Sequence, residues 1–543
     1  MDDSLNYTEL RTHKKSKYFY LLIALIIFHV IANITWIILN NQPPTWDAGL
    51  HTVLSFKIYE SFSSLFTVSS YYPPFVHVIG SIFVSILGYS FKSVELTGTL
   101  FFVTALIYIY LYTKELIKSP KIAFFSALFF SLFITIFDQS RYHMLDIPLT
   151  AMVVGSLYYL EKSDNLIKKR PSMLFFLFFA LAILTKWYAV IFITIPLVFR
   201  AIELIKNREY FRVQIKNILL GLVVFLVLVL PWYLINLNSL INIAAYTSTA
   251  ELADPQSRFS IENILFYPKL IIIFQTSFLG FIFFIVSLVF FIKNSINKQK
   301  LLIFLSILFI YSVFTLIANK NIRYLIPMMP FVAIIMGFGA DWILKKGKFL
   351  SSFLFSATIT YLVLSYFILS FGFPIYPNYQ YAFNFPILGW TDVYYLNDHP
   401  IKIIYEDNQK LPYSNLVEEI SSLIDNDNVR TLTLVDTPYI NDYLLNPKLY
   451  FKDSKAEFNI TEYFPLNKVD DINKFLNDNV DVIITSKNYI GLEGGIREYK
   501  SVKRFHEFVL SGKLKNFEKV KEYELIGDEY HPNDTIILLK KVF

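Results

Sequence analysis

The sequence has no cysteine among its 543 residues. Disulfide bonds are therefore excluded, and the compartment of each segment has to be inferred from membrane topology instead of redox chemistry. Charged residues are also scarce, because Asp, Glu, Lys and Arg make up only 17% of the chain, whereas hydrophobic residues make up 55%. Soluble domains carry about 25% charged residues. The composition therefore indicates a protein that lies largely in an apolar solvent.

Long apolar runs are missing from the last third of the chain. Between Lys17 and Phe371 such runs recur, and several approach the roughly 20 residues that a helix needs to span a membrane. After Phe371, clusters of Asp, Asn, Lys and Glu separate short β-branched strings such as VRTLTLVD and VDVIITSK, which is typical of a soluble α/β domain. We therefore predict a transmembrane domain over residues 1–371 and a soluble domain over residues 372–543.

The placement of positive charge predicts the orientation. The basic stretch RTHKKSK precedes an apolar run from Tyr18 to Leu39 that lacks a cleavage site, so we interpret this run as an uncleaved first span with a cytoplasmic N-terminus. Keeping the lysine-rich loops inside gives about eleven spans, with YYPPFVHVIGSIFVSILG beside the membrane and the C-terminal domain outside the cytoplasm. Residues 173–199 are interpreted as two short helices that turn at Lys186.

This threading brings ionisable residues of both signs to the outer face. They are Asp47, His51, Asp138, Arg141, His143, Asp146, Lys186, Glu251, Asp254, Arg258, Lys320 and Arg323. Ionisable groups at the membrane are costly and are functional candidates by default. Structural alternatives exist for most of them: the aspartates could be helix N-caps, Arg141 and His143 solvated loop residues, and Lys320 and Arg323 anchors of span ends.

Lysine and arginine near a carboxylate suit one chemistry in particular. The cations can hold the phosphate of a lipid headgroup, and the carboxylate can act as general base towards an incoming nucleophile. A sugar on a lipid phosphate meets this description, since its phosphate is a leaving group that the cations stabilise. A soluble nucleotide sugar does not, because no glycine-rich loop of the GxGxxG or GxxxxGK type occurs.

The order of the outer motifs carries a resemblance to a known family. The segments PPTWDAGLH, YYPPFVHVIG, RYHMLDIPLT, LAILTKWYAVIFITIPLVF, PWY and NKNIRYLIPMMP follow one another between about residues 18 and 345. In this order they resemble the polyprenyl-phosphate-dependent glycosyltransferases of the GT-C fold. The group includes protein O-mannosyltransferases, aminoarabinose lipid A transferases and related lipopolysaccharide sugar transferases.

The resemblance implies a role for several residues. Asp47 matches the catalytic base of the family and Asp146 its second acidic residue, so both are predicted to be catalytic, while Lys186 matches the lysine near the donor phosphate. Arg323 and Tyr324 match an Arg-Tyr pair before proline. We add Arg141 and Lys320 as candidates for donor phosphate binding, and His51, His143 and Tyr324 as candidates for acceptor binding or support.

One position departs from the family pattern. Ala48 stands where the family has Glu, so a role of that Glu in metal or acceptor binding does not carry over. We hypothesise that His51 compensates. The sequence implies no cofactor and leaves a divalent metal open. No WWDxG sequence occurs, which argues against an oligosaccharyltransferase.

The sequence therefore predicts a multi-pass enzyme of the cytoplasmic membrane. It would transfer a glycosyl group from a polyprenyl-phosphate-linked donor to a protein, lipid or glycan acceptor at the outer face, without nucleic acid. The alternative is a transporter or a flippase of lipid-linked sugars. Transporters generally show internal repeats and charges near the bilayer midplane, and neither is evident in the sequence.

Overall fold

The computed structural model describes most of the first part of the chain and separate stretches of the last part. The described residues are 17–40, 44, 46–206, 208–249, 259–293, 297–347, 349–371, 382–385, 390–393, 416, 418–419, 422, 428–435, 457–460, 469–488, 490, 499–525 and 534–542. Of the residues predicted at the outer face, Glu251, Asp254 and Arg258 lie outside these ranges, as does most of the basic stretch RTHKKSK.

The first part of the chain is helical. Its helices are α1 Lys17–Leu39, α2 Trp46–Glu60, α3 Phe75–Leu87, α4 Phe91–Ile117, α5 Pro120–Leu132, α6 Ile134–Gln139, α7 Asp146–Lys162, α8 Lys169–Ile183, α9 Val190–Lys206, α10 Phe211–Thr249, α11 Ile261–Leu270, α12 Ser277–Lys293, α13 Lys298–Leu316, α14 Met329–Lys346 and α15 Phe349–Phe371. Short 3-10 segments precede α9 and α14, and a π-helical segment separates α11 from α12.

Among the described residues, seven helical segments are long and apolar enough to cross a membrane. They are Lys17–Leu39, Phe91–Ile117, Trp187–Lys206, Phe211–Ala245, Lys298–Leu316, Ile322–Lys346 and Phe349–Phe371. The other four predicted spans correspond to α5, α7, α8 and the α11–α12 segment, which are shorter or are interrupted. The polytopic helical fold is confirmed, whereas a count of about eleven spans stays a prediction.

The predicted turn at Lys186 is present. Helix α8 ends at Ile183, Lys186 has extended backbone angles, and a 3-10 turn leads into α9. The lysine side chain therefore leaves the backbone at a break between two helices. This break places the side chain beside the start of α7, where Asp146 lies.

Two glycines let the loop between α6 and α7 pack against earlier helices. A Cβ on Gly98 of α4 would lie 2.4 Å from the carbonyl oxygen of Tyr142. A Cβ on Gly80 of α3 would lie 2.4 Å from Ser55 Oγ and 2.9 Å from the His143 ring. Since real Cβ atoms do not approach this closely, any larger residue would push the loop away. The loop carries His143 and leads directly into Asp146.

The described C-terminal segments form a mixed α/β unit. Strands β1 Ala382–Phe385 and β2 Trp390–Val393 pair antiparallel, and a five-stranded sheet has the order β4-β3-β5-β7-β6. Its elements are β3 Asn428–Thr433, β4 Glu457–Ile460, α16 Ile472–Asn479, β5 Val482–Ser486, α17 Tyr499–Leu510, β6 Phe517–Leu525 and β7 Asp534–Lys541. Leu432, Leu476, Ile483 and Phe505 are buried in one core between sheet and helices. The predicted α/β class of this region is confirmed, and both quoted β-branched strings contain strands.

Candidate active site

Asp47 is paired with Arg323. The Nη2 atom of Arg323 donates a hydrogen bond to Oδ2 of Asp47 at 2.8 Å. Asp47 lies in the first turn of α2, and Arg323 lies in the 3-10 segment before α14. Asn321 fixes the arginine, because its Oδ1 accepts from the backbone N of Arg323 at 3.0 Å and from Nε at 3.3 Å. The Asp47 side chain remains 40% exposed, whereas that of Arg323 is 12% exposed.

Asp146 is paired with Lys186. The Nζ atom of Lys186 lies 2.7 Å from Oδ1 of Asp146, and the side chains are 12% and 1% exposed. A lysine buried at a membrane requires an anionic partner, and for Lys186 this partner is Asp146, the first residue of α7. Oδ2 of Asp146 is buried and has no hydrogen-bond partner in the described part of the chain.

Aromatic rings bring the two ion pairs together. The Lys186 ammonium lies 5.5 Å from the centre of the Tyr188 ring and 5.8 Å from that of Tyr324. Tyr324 follows Arg323 directly, and Met144 Sδ, close to Asp146 in sequence, lies 3.9 Å from Nη1 of Arg323. Tyr324 was predicted to lie at this site, whereas Tyr188 was not. The adjacency of Tyr188 to Lys186 in TKWY was the signal available.

A cluster of buried histidines lies beside the Asp47 helix. Nδ1 of His51 is 3.0 Å from Nε2 of His77, and His143 bonds Ser55 Oγ at 2.8 Å and Thr97 Oγ1 at 2.6 Å. The three rings are at most 2% exposed. Burial, followed by the neighbouring His77 ring, lowers the pKa of His51 and of His143 well below the ordinary value.

The histidine cluster corrects one interpretation. His143 is buried and is not a solvated loop residue, while Nδ1 of His51 faces His77. That His51 compensates for the Glu of the family pattern stays a prediction. Within the described ranges, no group of three or more His, Asp or Glu side chains is arranged to hold a metal ion. His77 was not predicted to contribute, although it lies in the quoted motif YYPPFVHVIG. His51 follows Asp47 by one helical turn, so the cluster supports the helix that carries this carboxylate.

Arg141 lies elsewhere, contrary to the prediction that it binds donor phosphate. Its Nε donates to Asn33 Oδ1 at 3.2 Å and its Nη2 to Ser370 Oγ at 2.6 Å. The rings of Trp36, Phe137, Tyr366 and Phe371 surround the guanidinium at 5.3 to 5.9 Å. A buried arginine enclosed in this way joins α1 to α15 and is not aimed at a headgroup.

Lys320 also has a structural position. Its Nζ donates to the carbonyl oxygens of Thr315 and Ile317, both at 2.8 Å, and to that of Phe314 at 3.4 Å. These carbonyls lie at the C-terminal end of α13. There a cation can bind carbonyl oxygens that have no intrahelical partner, and the helix dipole stabilises its charge. The anchor alternative therefore describes Lys320 better than donor phosphate binding.

A second set of ion pairs lies at the other end of α7. Glu161 near the end of α7 pairs with Arg200 of α9, whose Nη1 lies 2.7 Å from Glu203. Because Asp146 begins α7, the 15 steps to Glu161 separate the two charged groups by about 22 Å. The charged groups thus lie at opposite ends of the helix.

Known proteins share this architecture. Residues 72–235 match the family model of dolichyl-phosphate-mannose-protein mannosyltransferases. The crystal structure of ArnT from Cupriavidus metallidurans in the apo state superposes with a TM-score of 0.59 at 12% identity, covering 96% of this chain and 97% of that chain. The ArnT structure bound to undecaprenyl phosphate gives a TM-score of 0.61 at 12% identity and covers 96% and 98%.

A comparison with curated proteins finds no match. At 12% identity the two ArnT structures establish the fold, and the family model covers α3 to α9 and the first part of α10, a range that includes Asp146 and Lys186. The chain therefore shares the fold of the two ArnT structures, and part of it matches a family model of lipid-linked-mannose transferases.

Proposed function

We propose that the enzyme transfers a sugar from a polyprenyl-phosphate-linked donor to an acceptor at the outer face of the cytoplasmic membrane, with Asp47 as general base. The observation that carries this proposal is the adjacency of the Asp47–Arg323 and Asp146–Lys186 pairs, since the Lys186 ammonium lies 5.8 Å from the ring of Tyr324, the sequence neighbour of Arg323. Two cations and two carboxylates meet at one end of α7. The ArnT structure with undecaprenyl phosphate supports a lipid phosphate as the ligand class.

Lys186 and Arg323 are the proposed ligands of the donor phosphate. Each cation now donates to a carboxylate oxygen, at 2.7 and 2.8 Å respectively. Phosphate oxygens accept the same charge-assisted hydrogen bonds, and an ammonium and a guanidinium each carry further donors, so both cations can bind the phosphate while keeping their carboxylate partners. The ion pairs thus hold both cations in place before the donor binds.

Exposure distinguishes the two carboxylates. The side chain of Asp47 is 40% exposed, whereas that of Asp146 is 1% exposed and held by Lys186. A base must come within hydrogen-bond reach of the acceptor proton, which requires access to the acceptor. Asp47 meets this requirement, and Asp146 is assigned to binding.

The proposed reaction is a displacement at the anomeric carbon of the donor. The acceptor oxygen or nitrogen forms a bond to this carbon as the bond to the phosphate oxygen breaks. The bonding electrons leave with the polyprenyl phosphate, and Asp47 takes the acceptor proton. Lys186 and Arg323 stabilise the negative charge that grows on the phosphate.

The outer-face location rests on charge placement. Lys114, Lys118 and Lys121 lie at the junction of α4 and α5, while Asp47 follows the opposite end of α1 from the basic N-terminus. Loops on the cytoplasmic side of a membrane protein are enriched in Lys and Arg. This rule favours an extracytoplasmic location for the site and for the C-terminal domain.

A flippase is disfavoured by the distribution of charge along α7. A translocation path would need polar groups near the middle of the membrane. Asp146 and Glu161 lie instead at the two ends of this helix, and no Asp, Glu, Lys, Arg or His occurs between them in the sequence.

A reconstituted transfer reaction tests the proposal. Cells lacking the gene supply a lipid extract, in which unused donor accumulates, and membranes that contain the acceptor. Adding purified enzyme should add the mass of one sugar residue to an acceptor, as detected by mass spectrometry. Movement of lipid across vesicles without such a product would support the flippase instead.

A further inference from the structure

We propose that Oδ2 of Asp146 and the hydroxyl of Tyr188 bind a hydroxyl group of the donor's sugar. This inference rests on the proposed function and deepens it, since it separates a sugar subsite from the phosphate site. Neither atom was expected to bind sugar from the sequence, and they belong to a carboxylate and a ring that both lie next to the ammonium of Lys186.

Only one of the two carboxylate oxygens of Asp146 accepts a hydrogen bond within the described residues. Oδ1 accepts from Lys186 at 2.7 Å, while Oδ2 is buried and makes no hydrogen bond within the described residues. The side chain is 1% exposed. A buried acceptor without a partner carries a desolvation cost, which is larger for a charged group. Native proteins leave few such groups, and these commonly face a ligand or water.

The hydroxyl of Tyr188, like Oδ2 of Asp146, is buried and has no hydrogen-bond partner among the residues that the structure describes. Its ring is held by other means, with the Tyr324 ring at 6.1 Å and the Phe314 ring at 5.9 Å. The ring orientation is therefore fixed by aromatic packing, which leaves the hydroxyl available to a ligand.

The chemistry of these two atoms selects a sugar hydroxyl. A carboxylate oxygen only accepts hydrogen bonds, whereas a phenol both donates and accepts. A sugar hydroxyl can donate to Asp146 and accept from Tyr188. A phosphate oxygen cannot donate, and its charge is repelled by the carboxylate. Lys186, the proposed phosphate ligand, lies beside both Asp146 and the ring of Tyr188. A phosphate site next to a sugar site suits a donor whose sugar is covalently joined to its phosphate.

The chain contains a matched control for Tyr188. The hydroxyl of Tyr366 is also buried without a partner in the described ranges, but its ring packs on Arg141, away from the Lys186 pair. Tyr188→Phe and Tyr366→Phe each remove one such oxygen and keep the ring. Any general effect of deleting a buried hydroxyl should therefore be shared by both variants.

The test measures donor use and product inhibition separately. Initial transfer rates are recorded with increasing amounts of the lipid extract, and inhibition is measured with added undecaprenyl phosphate, which lacks the sugar. Tyr188→Phe should raise the apparent KM for the donor about tenfold, equivalent to about 1.4 kcal/mol. Its inhibition constant for undecaprenyl phosphate should not change. Tyr366→Phe should alter neither value.

Two results would overturn the sugar subsite. One is an unchanged apparent KM in Tyr188→Phe, and the other is an equal weakening of undecaprenyl phosphate, which would assign the hydroxyl to the phosphate. Thermal unfolding midpoints of both variants establish that the comparison concerns folded protein. Absence of transfer by the wild-type enzyme would instead contradict the proposed function, so the two failures are distinguishable.

Discussion

The guanidinium of Arg323 donates to the carboxylate of Asp47 across 276 positions of sequence, with 2.8 Å between Nη2 and Oδ2. This contact joins the first turn of α2 to the turn that opens α14. The site is therefore assembled from segments at both ends of the helical domain. Its integrity depends on the packing that holds these segments together.

Lys186→Ala should weaken donor use far more than Lys114→Ala. Lys186 is the proposed phosphate ligand, whereas Lys114 is exposed in the last turn of α4. We expect at least a tenfold rise in the inhibition constant of undecaprenyl phosphate for the first variant, equivalent to about 1.4 kcal/mol. Transfer assays with the lipid extract measure this. Equal effects of the two substitutions would refute the placement of Lys186.

The same substitution should also lower stability. Removing Lys186 leaves the buried Asp146 carboxylate without its cation, and breaking a buried pair costs about 3–5 kcal/mol. The double variant Lys186→Met/Asp146→Leu should recover much of this loss but should not recover transfer. Thermal unfolding midpoints compared with transfer rates separate the two effects.

Gly80→Ala should reduce both stability and turnover. Its Cβ would lie 2.4 Å from Ser55 Oγ and 2.9 Å from His143, so the polar contacts between α2, α3 and the loop before Asp146 would have to shift. Gly280→Ala is the matched control in another helix, because its nearest contact would be an ordinary 3.4 Å. We expect a loss of about 1–3 kcal/mol for Gly80→Ala. The control should be neutral in unfolding and transfer assays.

A conservative variant then tests whether the histidines position Asp47. His143→Gln can still hydrogen-bond to Ser55 or Thr97, whereas His143→Leu cannot. The leucine variant should lower kcat with little change in the apparent KM for donor, and the glutamine variant should restore part of kcat. A loss of donor affinity alone would contradict a positioning role.

Single cysteines can report the orientation, since the natural chain contains none. Ser61 follows α2 and Lys168 precedes α8, and both are exposed. In intact cells a membrane-impermeant maleimide should label Ser61→Cys but not Lys168→Cys. After permeabilisation both should react. The opposite pattern would place the site in the cytoplasm.

The C-terminal sheet should lose stability in acid. Burial of Asp481 raises its pKa, but hydrogen bonds from the Arg430 side chain and backbone outweigh this and leave the pKa below the ordinary value. The folded carboxyl thus has a lower pKa than the unfolded one. Its stabilising contribution is present above the unfolded pKa and is lost as the pH falls through the folded pKa.

Hydrogen exchange in β3 and β5 measures this effect, because Arg430 and Asp481 join them. Protection should be constant between about pH 5 and 7 and should fall below about pH 4. Asp481→Asn should reduce protection at neutral pH and flatten the acid response. Glu518→Gln, at an exposed position of β6, should behave as the wild type. An unchanged acid response in Asp481→Asn would contradict this assignment.

Much of the architecture was predictable because apolar length and lysine placement are local properties. They predicted the helical class, the turn at Lys186 and the change to an α/β region. Side-chain partners were less predictable. Arg141 and Lys320 were predicted to bind phosphate from their side of the membrane and, for Arg141, from the nearby aspartates, yet Arg141 is enclosed by rings from α1 and α15 and Lys320 caps α13.

The pairing of Asp47 with Arg323 and of Asp146 with Lys186 depends on tertiary contacts that no local pattern contains. The role of His77 was missed for the same reason. A lone histidine in an apolar helix gives no sign that it faces His51 from another helix. Family resemblance indicated which residues to examine, and geometry decided among them.

The most direct test of the central claim is mass spectrometry of cell-envelope glycans and glycolipids from cells with the gene, without it, and with Asp47→Asn. This substitution removes the proposed base while nearly conserving volume. The protein should still accumulate in the membrane. Deletion should remove one sugar residue from an envelope component, the wild-type gene should restore it, and Asp47→Asn should not. Full restoration by Asp47→Asn, or an envelope unchanged by deletion, would contradict the account.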